Sequence, residues 1–174
     1  MIDLKIENRK GKIHVKSSEI KDILELRPDF EYVQDISNTI NQENILVFDC
    51  QLTGNSFDMD DLDIEEILEE LGEEIDESYF SVLFEDVRAY LKDATDEIEA
   101  DLQDNYLFDN LRCYFDIYNI NQEFTDFKFV FLVSFKDIKI SSLANLAKIV
   151  SKRQLIGASK VPYQHLTLTT IDSE

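Results

Sequence analysis

The chain has 174 residues and a formal net charge of −20 at pH 7, and 44% of its residues are hydrophobic, including 12 Phe and 7 Tyr. This composition supplies a core for one domain and differs from that of disordered acidic tails, which are poor in aromatic residues. The charge disfavours direct binding to nucleic acid or to an anionic membrane, so we expect neither as a partner.

The N-terminal third predicts a hairpin followed by a short helix. Residues 2–16 alternate apolar and polar side chains around the turn residues 8–11, a pattern typical of a β-hairpin. Ser17 or Ser18 can then cap a helix that ends before Pro28.

The next stretch is harder to assign. Residues 28–44 have no clear period, so we predict a loop there with at most one turn of helix. The run Ile45–Phe48 indicates a buried strand that continues to Leu52 and stops at Thr53.

The charge is concentrated in residues 58–109, which hold 21 acidic and two basic residues and are called the acidic segment below. Apolar residues recur in it at helical spacing. We predict a first helix with an apolar stripe from Ile64 to Ile75, and a second helix capped by Ser78. Thr95 is a candidate cap for a break in this second helix near Asp93.

After Asn110 the apolar period becomes alternating, which predicts a second hairpin of strands 111–118 and 127–135. The second of these strands is apolar on both faces, as in a central buried strand, although one exposed face serving as an interface is an open alternative. Ser141 or Ser142 can open a final helix, and residues 163–171 indicate a closing strand.

Together these elements predict a single α+β domain spanning residues 1–174. Its antiparallel sheet is built from β-hairpins, with an acidic helical excursion (residues 58–109) in the middle. No apolar run has the length of a signal peptide or a membrane span, so we expect a cytoplasmic protein. Cys50 and Cys113 are then expected to be buried, reduced thiols.

The candidate metal-binding and catalytic motifs in the sequence are incomplete. Asp58 and Asp60 begin like a calcium loop, but Asp63 stands where that loop needs glycine. His14 and His165 have no ligands at metal-binding spacing. We therefore expect no catalytic residues, no metal site and no cofactor.

A metal-dependent nuclease is the remaining enzyme hypothesis. Asp49 and Asp126, with Lys128 on the following strand, are residue types that can hold a metal and polarise a water molecule. The acidic segment argues against this hypothesis, because a nuclease needs a surface that tolerates phosphates.

The acidic helices themselves predict a binding function, although a solvated face is the simpler interpretation. Carboxylates four residues apart rise by about 6 Å along a helix, and packed acidic helices can approach the charge density of duplex DNA. In composition and acidic-helix pattern the segment resembles the DNA-mimic inhibitors of phages and mobile elements, including anti-restriction and anti-CRISPR proteins. The resemblance implies a non-enzymatic inhibitor that occludes the nucleic-acid-binding site of a basic nuclease or another DNA- or RNA-handling protein.

The expected partner-binding residues are acidic side chains that face water on the two helices. They are Glu65, Glu66, Glu69, Glu70, Glu73, Glu74, Asp76, Glu77, Asp93, Asp96, Glu97, Asp101 and Asp104. Two alternatives stay open. One is an immunity protein against a nuclease toxin, and the other is a phage structural or assembly component that uses the aromatic 127–135 strand as its interface.

Overall fold

The structure, a computed structural model, describes residues 3–40, 42–53, 75–120 and 126–157, and of residues 53, 75–84, 120, 126 and 157 it describes the backbone alone. The described elements, in chain order, are β1 (Asp3–Asn8), β2 (Gly11–Lys16), α1 (Ser17–Glu25), β3 (Phe30–Asp35), a 3-10 turn (Ser37–Thr39), β4 (Leu46–Thr53), α2 (Ile75–Tyr106), β5 (Leu111–Ile120), β6 (Asp126–Phe135) and α3 (Ile140–Gly157). The first predicted acidic helix and the predicted closing strand 163–171 lie outside the described residues.

The strands form two antiparallel sheets, which confirms the predicted α+β class. β1 and β2 make a two-stranded hairpin, with Gly11 in the turn at a φ of 116°, a value that glycine adopts without strain. The second sheet has the order β3-β4-β6-β5, so β6 is a central strand and β5 is an edge strand.

Apolar side chains pack on both faces of the four-stranded sheet. The hairpin, α1 and α2 cover one face, where Phe48, Phe129 and Phe131 are fully buried. The helix α3 covers the other face, where Val130 and Leu132 contact its apolar side. The central strand β6 is therefore core on both faces, and its described residues leave no exposed aromatic face for an interface.

Three local predictions were wrong. Residues 30–35 form a strand, where we had predicted a loop. No serine side chain caps α1; its N-cap is Lys16, which makes no side-chain cap hydrogen bond. The helix α2 runs without a break through Asp93, and it begins at Ile75, before the predicted cap Ser78.

Other local predictions are confirmed. Cys50 and Cys113 are buried and free. Burial raises their thiol pKa values well above the ordinary range, and the charges of Asp49 and Glu99, respectively, raise them further.

Candidate interaction surface

The helix α2 has one buried and one exposed side, as its amphipathic sequence requires. Its 32 residues correspond to a rod about 48 Å long. Where its side chains are described, the buried stripe consists of Val87, Leu91, Ala94, Thr95, Ile98 and Leu102. Its four larger aliphatic side chains pack into the core against the sheet, so the opposite side is held in one orientation toward solvent.

Five of the predicted partner-binding residues are described with their side chains, and all five are exposed on α2. They are Asp93, Asp96, Glu97, Asp101 and Asp104. Asp76 and Glu77 belong to the first turns of the same helix, where the structure gives the backbone alone. Glu65, Glu66, Glu69, Glu70, Glu73 and Glu74 lie outside the described residues.

Asp93, Glu97, Asp101 and Asp104 follow one another at helical spacing, so they share one side of α2. The stripe extends over about 16 Å along the helix axis. Like charges at this spacing repel each other, and nothing in folding alone requires this arrangement. The stripe is thus a rigid row of carboxylates on a helix whose other side is anchored.

Two cations neutralise part of this surface. Lys92 Nζ lies 3.5 Å from Asp96 Oδ2, and both side chains are exposed, so the pair contributes little to stability. Arg27, in the turn after α1, lies 3.3 Å from Glu97 and 3.1 Å from the buried Asp29. Burial lowers the pKa of Arg27, but the two carboxylates more than offset this effect and raise it overall.

Two tyrosines of α2, Tyr90 and Tyr106, make internal hydrogen bonds. The Tyr90 hydroxyl donates to Asp29 Oδ2 at 2.8 Å, and the Tyr106 hydroxyl donates to Glu19 Oε2 at 3.3 Å. Burial and, to a smaller extent, the neighbouring carboxylate together raise the pKa of each phenol to about 12. Both residues therefore fasten α2 to the α1 region, and the sequence pattern did not reveal these contacts.

The residues of the nuclease hypothesis lie on the neighbouring strands β4 and β6, but the Asp49 carboxylate already accepts internal hydrogen bonds. This buried carboxylate accepts hydrogen bonds from the Tyr118 hydroxyl at 2.7 Å and from Gln154 Nε2 at 2.8 Å. Lys128 is opposite Gln51 in the β4–β6 ladder. Within the part of the chain that the structure describes, no three His, Cys, Asp or Glu side chains are grouped so that they could hold a metal ion.

Comparison with known proteins gives no match: no family model, no curated protein and no solved structure is similar to this chain. Among the described residues, no helix is both long and apolar enough to cross a membrane.

Proposed function

We propose that this protein is a non-enzymatic acidic inhibitor. The exposed side of α2 binds the Lys/Arg-lined groove of a nuclease, or of another protein that handles DNA or RNA, and excludes the nucleic acid. Support comes chiefly from one observation: Asp93, Asp96, Glu97, Asp101 and Asp104 are all exposed on a single helix whose opposite side is buried.

The physical argument is electrostatic. Duplex DNA carries one charge per roughly 1.7 Å of its axis, and proteins that bind it gain affinity when condensed counterions are released. A carboxylate row on a fixed helix offers the same type of ligand to a basic groove at little cost in conformational entropy, because α2 is already ordered by the core. The opposite signs of the two surfaces also accelerate association.

A matched pair of charge-reversal variants tests this proposal. One variant carries Asp93→Lys, Asp101→Lys and Asp104→Lys, whose side chains are exposed and make no ion pair with another described residue. The control carries Glu7→Lys, Glu43→Lys and Asp137→Lys, which are exposed and lie outside α2. Both variants change the net charge equally, so a difference between them reports position and not total charge.

The immobilised protein is exposed to host-cell lysate, and bound proteins are eluted with duplex DNA. We expect capture of a basic nucleic-acid-binding protein whose nuclease or DNA-binding activity the purified chain inhibits stoichiometrically. The α2 variant should bind this target about 100-fold more weakly or worse, since close interfacial charge pairs contribute on the order of 1.5 kcal/mol or more each. Equal loss of binding in both variants, or a target that duplex DNA does not displace, would contradict the proposal.

A further inference from the structure

A second surface lies along the outer edge of β5, where no other described strand pairs with the four-stranded sheet. β5 is an edge strand of ten residues, and it is flanked by α2 on one face of the sheet and by α3 on the other. Between the two helices a groove of about 530 Å³ follows the strand from Arg112 to Ile117.

The main chain of β5 is only partly satisfied at this edge. Gln103 Nε2 donates to the carbonyl of Leu111 at 2.9 Å, and the N–H of Cys113 donates to Glu99 Oε1 at 2.8 Å. Residues in an antiparallel pair alternate between facing the partner strand and facing away. Phe115 therefore also directs its N–H and carbonyl outward, and the described residues provide no hydrogen-bond partner for them.

Four basic side chains line this groove although the molecule as a whole is strongly acidic. Arg88 and Lys92 come from α2, Arg112 from β5 and Lys148 from α3. Lys92 is paired with Asp96, whereas the other three bases make no ion pair with any described residue.

The acidic side chains of the same groove are held by internal contacts. Glu99 accepts the N–H of Cys113, and Asp116 accepts the Ser151 hydroxyl at 2.7 Å. Asp96, the partner of Lys92, also lines the groove, so four basic side chains face three acidic ones and the groove has a formal charge of +1. Beside this charge, the main chain of Phe115 presents a donor and an acceptor that no described residue satisfies.

We infer that this groove binds an extended acidic segment of a partner protein, which adds to β5 as a fifth strand of the sheet. Main-chain hydrogen bonds to Phe115 give affinity, and carboxylates of the added segment pair with Arg88, Arg112 and Lys148. This surface is distinct from the acidic stripe of α2, and the inference does not rest on the proposed function.

Two other occupants fit the observations less well. A nucleic-acid strand would find cations but would leave the outward N–H and carbonyl groups of β5 without the alternating partners that a peptide supplies. A second copy that paired through the same edge would bring the Arg88, Arg112 and Lys148 side chains of two grooves together, so like charges would meet.

The test uses capped synthetic peptides of ten residues, the length of β5. The first contains glutamate and valine in equal number, and the second has lysine in place of glutamate. A third is the glutamate peptide N-methylated at every residue, and a fourth is N-methylated at every second residue, which leaves one edge able to pair. Binding is measured by calorimetry and by NMR of backbone amides at about 0.15 M salt, where charges more than about 8 Å apart are screened.

We expect the glutamate peptide and its half-methylated form to bind and to shift the amide signals of Phe115 and Ile117. The lysine peptide and the fully methylated peptide should not bind. Arg88→Glu with Lys148→Glu should weaken binding about tenfold or more, because each exposed ion pair contributes a few-fold and is replaced by a repulsion. The control, Lys10→Glu with Lys12→Glu in the β1–β2 hairpin, changes the net charge equally and should leave the affinity unchanged.

Three results would overturn the inference. Equal binding of the fully methylated peptide would show that main-chain pairing is not involved. If a single-stranded oligonucleotide displaces the glutamate peptide from the unsubstituted protein and fails to bind the Arg88→Glu, Lys148→Glu variant, the groove is a phosphate site. If sedimentation shows that the unsubstituted protein is a dimer and the same variant is a monomer, the occupant of the groove is a second copy of the chain.

Discussion

Asp49 illustrates what one residue does for this fold. It lies on β4, a central strand, and its carboxylate faces α3 in a layer that is mostly apolar. Burying a carboxylate is costly unless hydrogen bonds replace its lost water. Tyr118 supplies one of these hydrogen bonds from β5, two strands away in the sheet, and Gln154 supplies the other from α3. The carboxylate therefore ties β5 and α3 to β4 in one arrangement.

Removing one of the two hydrogen-bond donors to this carboxylate should lower the stability of the fold. We expect Gln154→Leu to lower the free energy of unfolding by about 1–3 kcal/mol, since a buried acceptor loses a partner. Asn145→Leu, at an exposed position of the same helix, should change it by less than about 0.5 kcal/mol. Urea unfolding at neutral pH measures both values.

A double substitution checks the physical cause. The double variant Asp49→Val, Gln154→Leu removes both partners of the hydrogen bond. Its loss of unfolding free energy should therefore be smaller than the sum of the losses in the two single variants. Strict additivity would mean that the hydrogen bond contributes nothing beyond packing.

At the scale of elements, α2 is positioned by polar contacts as well as by its buried stripe. Arg27 and Asp29, in the turn after α1, form an ion pair 3.1 Å long, and Tyr90 of α2 donates to the same Asp29 carboxylate. Arg27 also forms an ion pair with Glu97, which lies further along α2 than Tyr90. This turn therefore holds the middle of α2, the part that carries the exposed carboxylates.

The Tyr90 contact predicts a pH dependence. The folded pKa of Tyr90 is raised to about 12, above the ordinary value of about 10, so the folded state holds the phenolic proton more tightly. Its contribution to stability is therefore complete below about pH 10 and is lost as the pH rises through about 12. We expect the unfolding free energy of Tyr90→Phe to fall less steeply over this range than that of the unsubstituted protein.

The same substitution in an Asp29→Asn protein tests how much of this pH dependence comes from the Asp29 charge. In a protein with Asp29→Asn, the carboxylate charge beside Tyr90 is gone, so Tyr90→Phe should alter the slope less. Identical slopes with and without Tyr90, measured by urea unfolding across the same pH range, would show that this phenol is not part of the pH response.

The sequence predicted well the elements whose apolar pattern is regular. The continuous apolar run of β6 and the helical stripe of α3 agree with the structure because β6 is buried on both faces and α3 packs its apolar side on the sheet. β3 was missed because its register shifts between Phe30 and Tyr32, so buried residues stand at positions 30 and 33 and the two-residue period is broken.

The continuity of α2 was missed for a different reason. Thr95 has a side chain that favours helix caps, and it follows Asp93, another cap former, so local preference suggested a break. In the structure Ala94 and Thr95 are both buried in the helix interior against the sheet. Tertiary packing therefore outweighs local propensity here, and a single sequence does not contain that information.

At the scale of the whole molecule, the described residues include an acidic surface on α2 and a groove beside β5 with four basic side chains. The exposed carboxylates of α2 could be read from the sequence because they are contiguous in it and follow a helical period. The basic groove could not, because Arg88, Lys92, Arg112 and Lys148 come from three elements. Only the packing of α2 and α3 on either side of β5 brings them together.

The concentration of acid also predicts how salt affects stability. The acidic segment has 21 acidic and two basic residues, and Asp93, Glu97 and Asp101 repel each other along α2. Like-charged pairs at this spacing cost a few tenths of a kcal/mol each, and salt screens them. We expect the free energy of unfolding in urea, an uncharged denaturant, to rise by about 1 kcal/mol between low salt and about 0.3 M NaCl.

The charge-reversal variants locate the origin of this effect. Asp93→Lys, Asp101→Lys and Asp104→Lys should flatten the salt dependence more than Glu7→Lys, Glu43→Lys and Asp137→Lys, because only the first set relieves repulsion along one helix. Equal flattening by the two sets would assign the repulsion to total charge. A larger effect of the α2 set would mean that the protein sacrifices stability at this helix to keep its carboxylates in one row, as expected if the row serves to bind a partner.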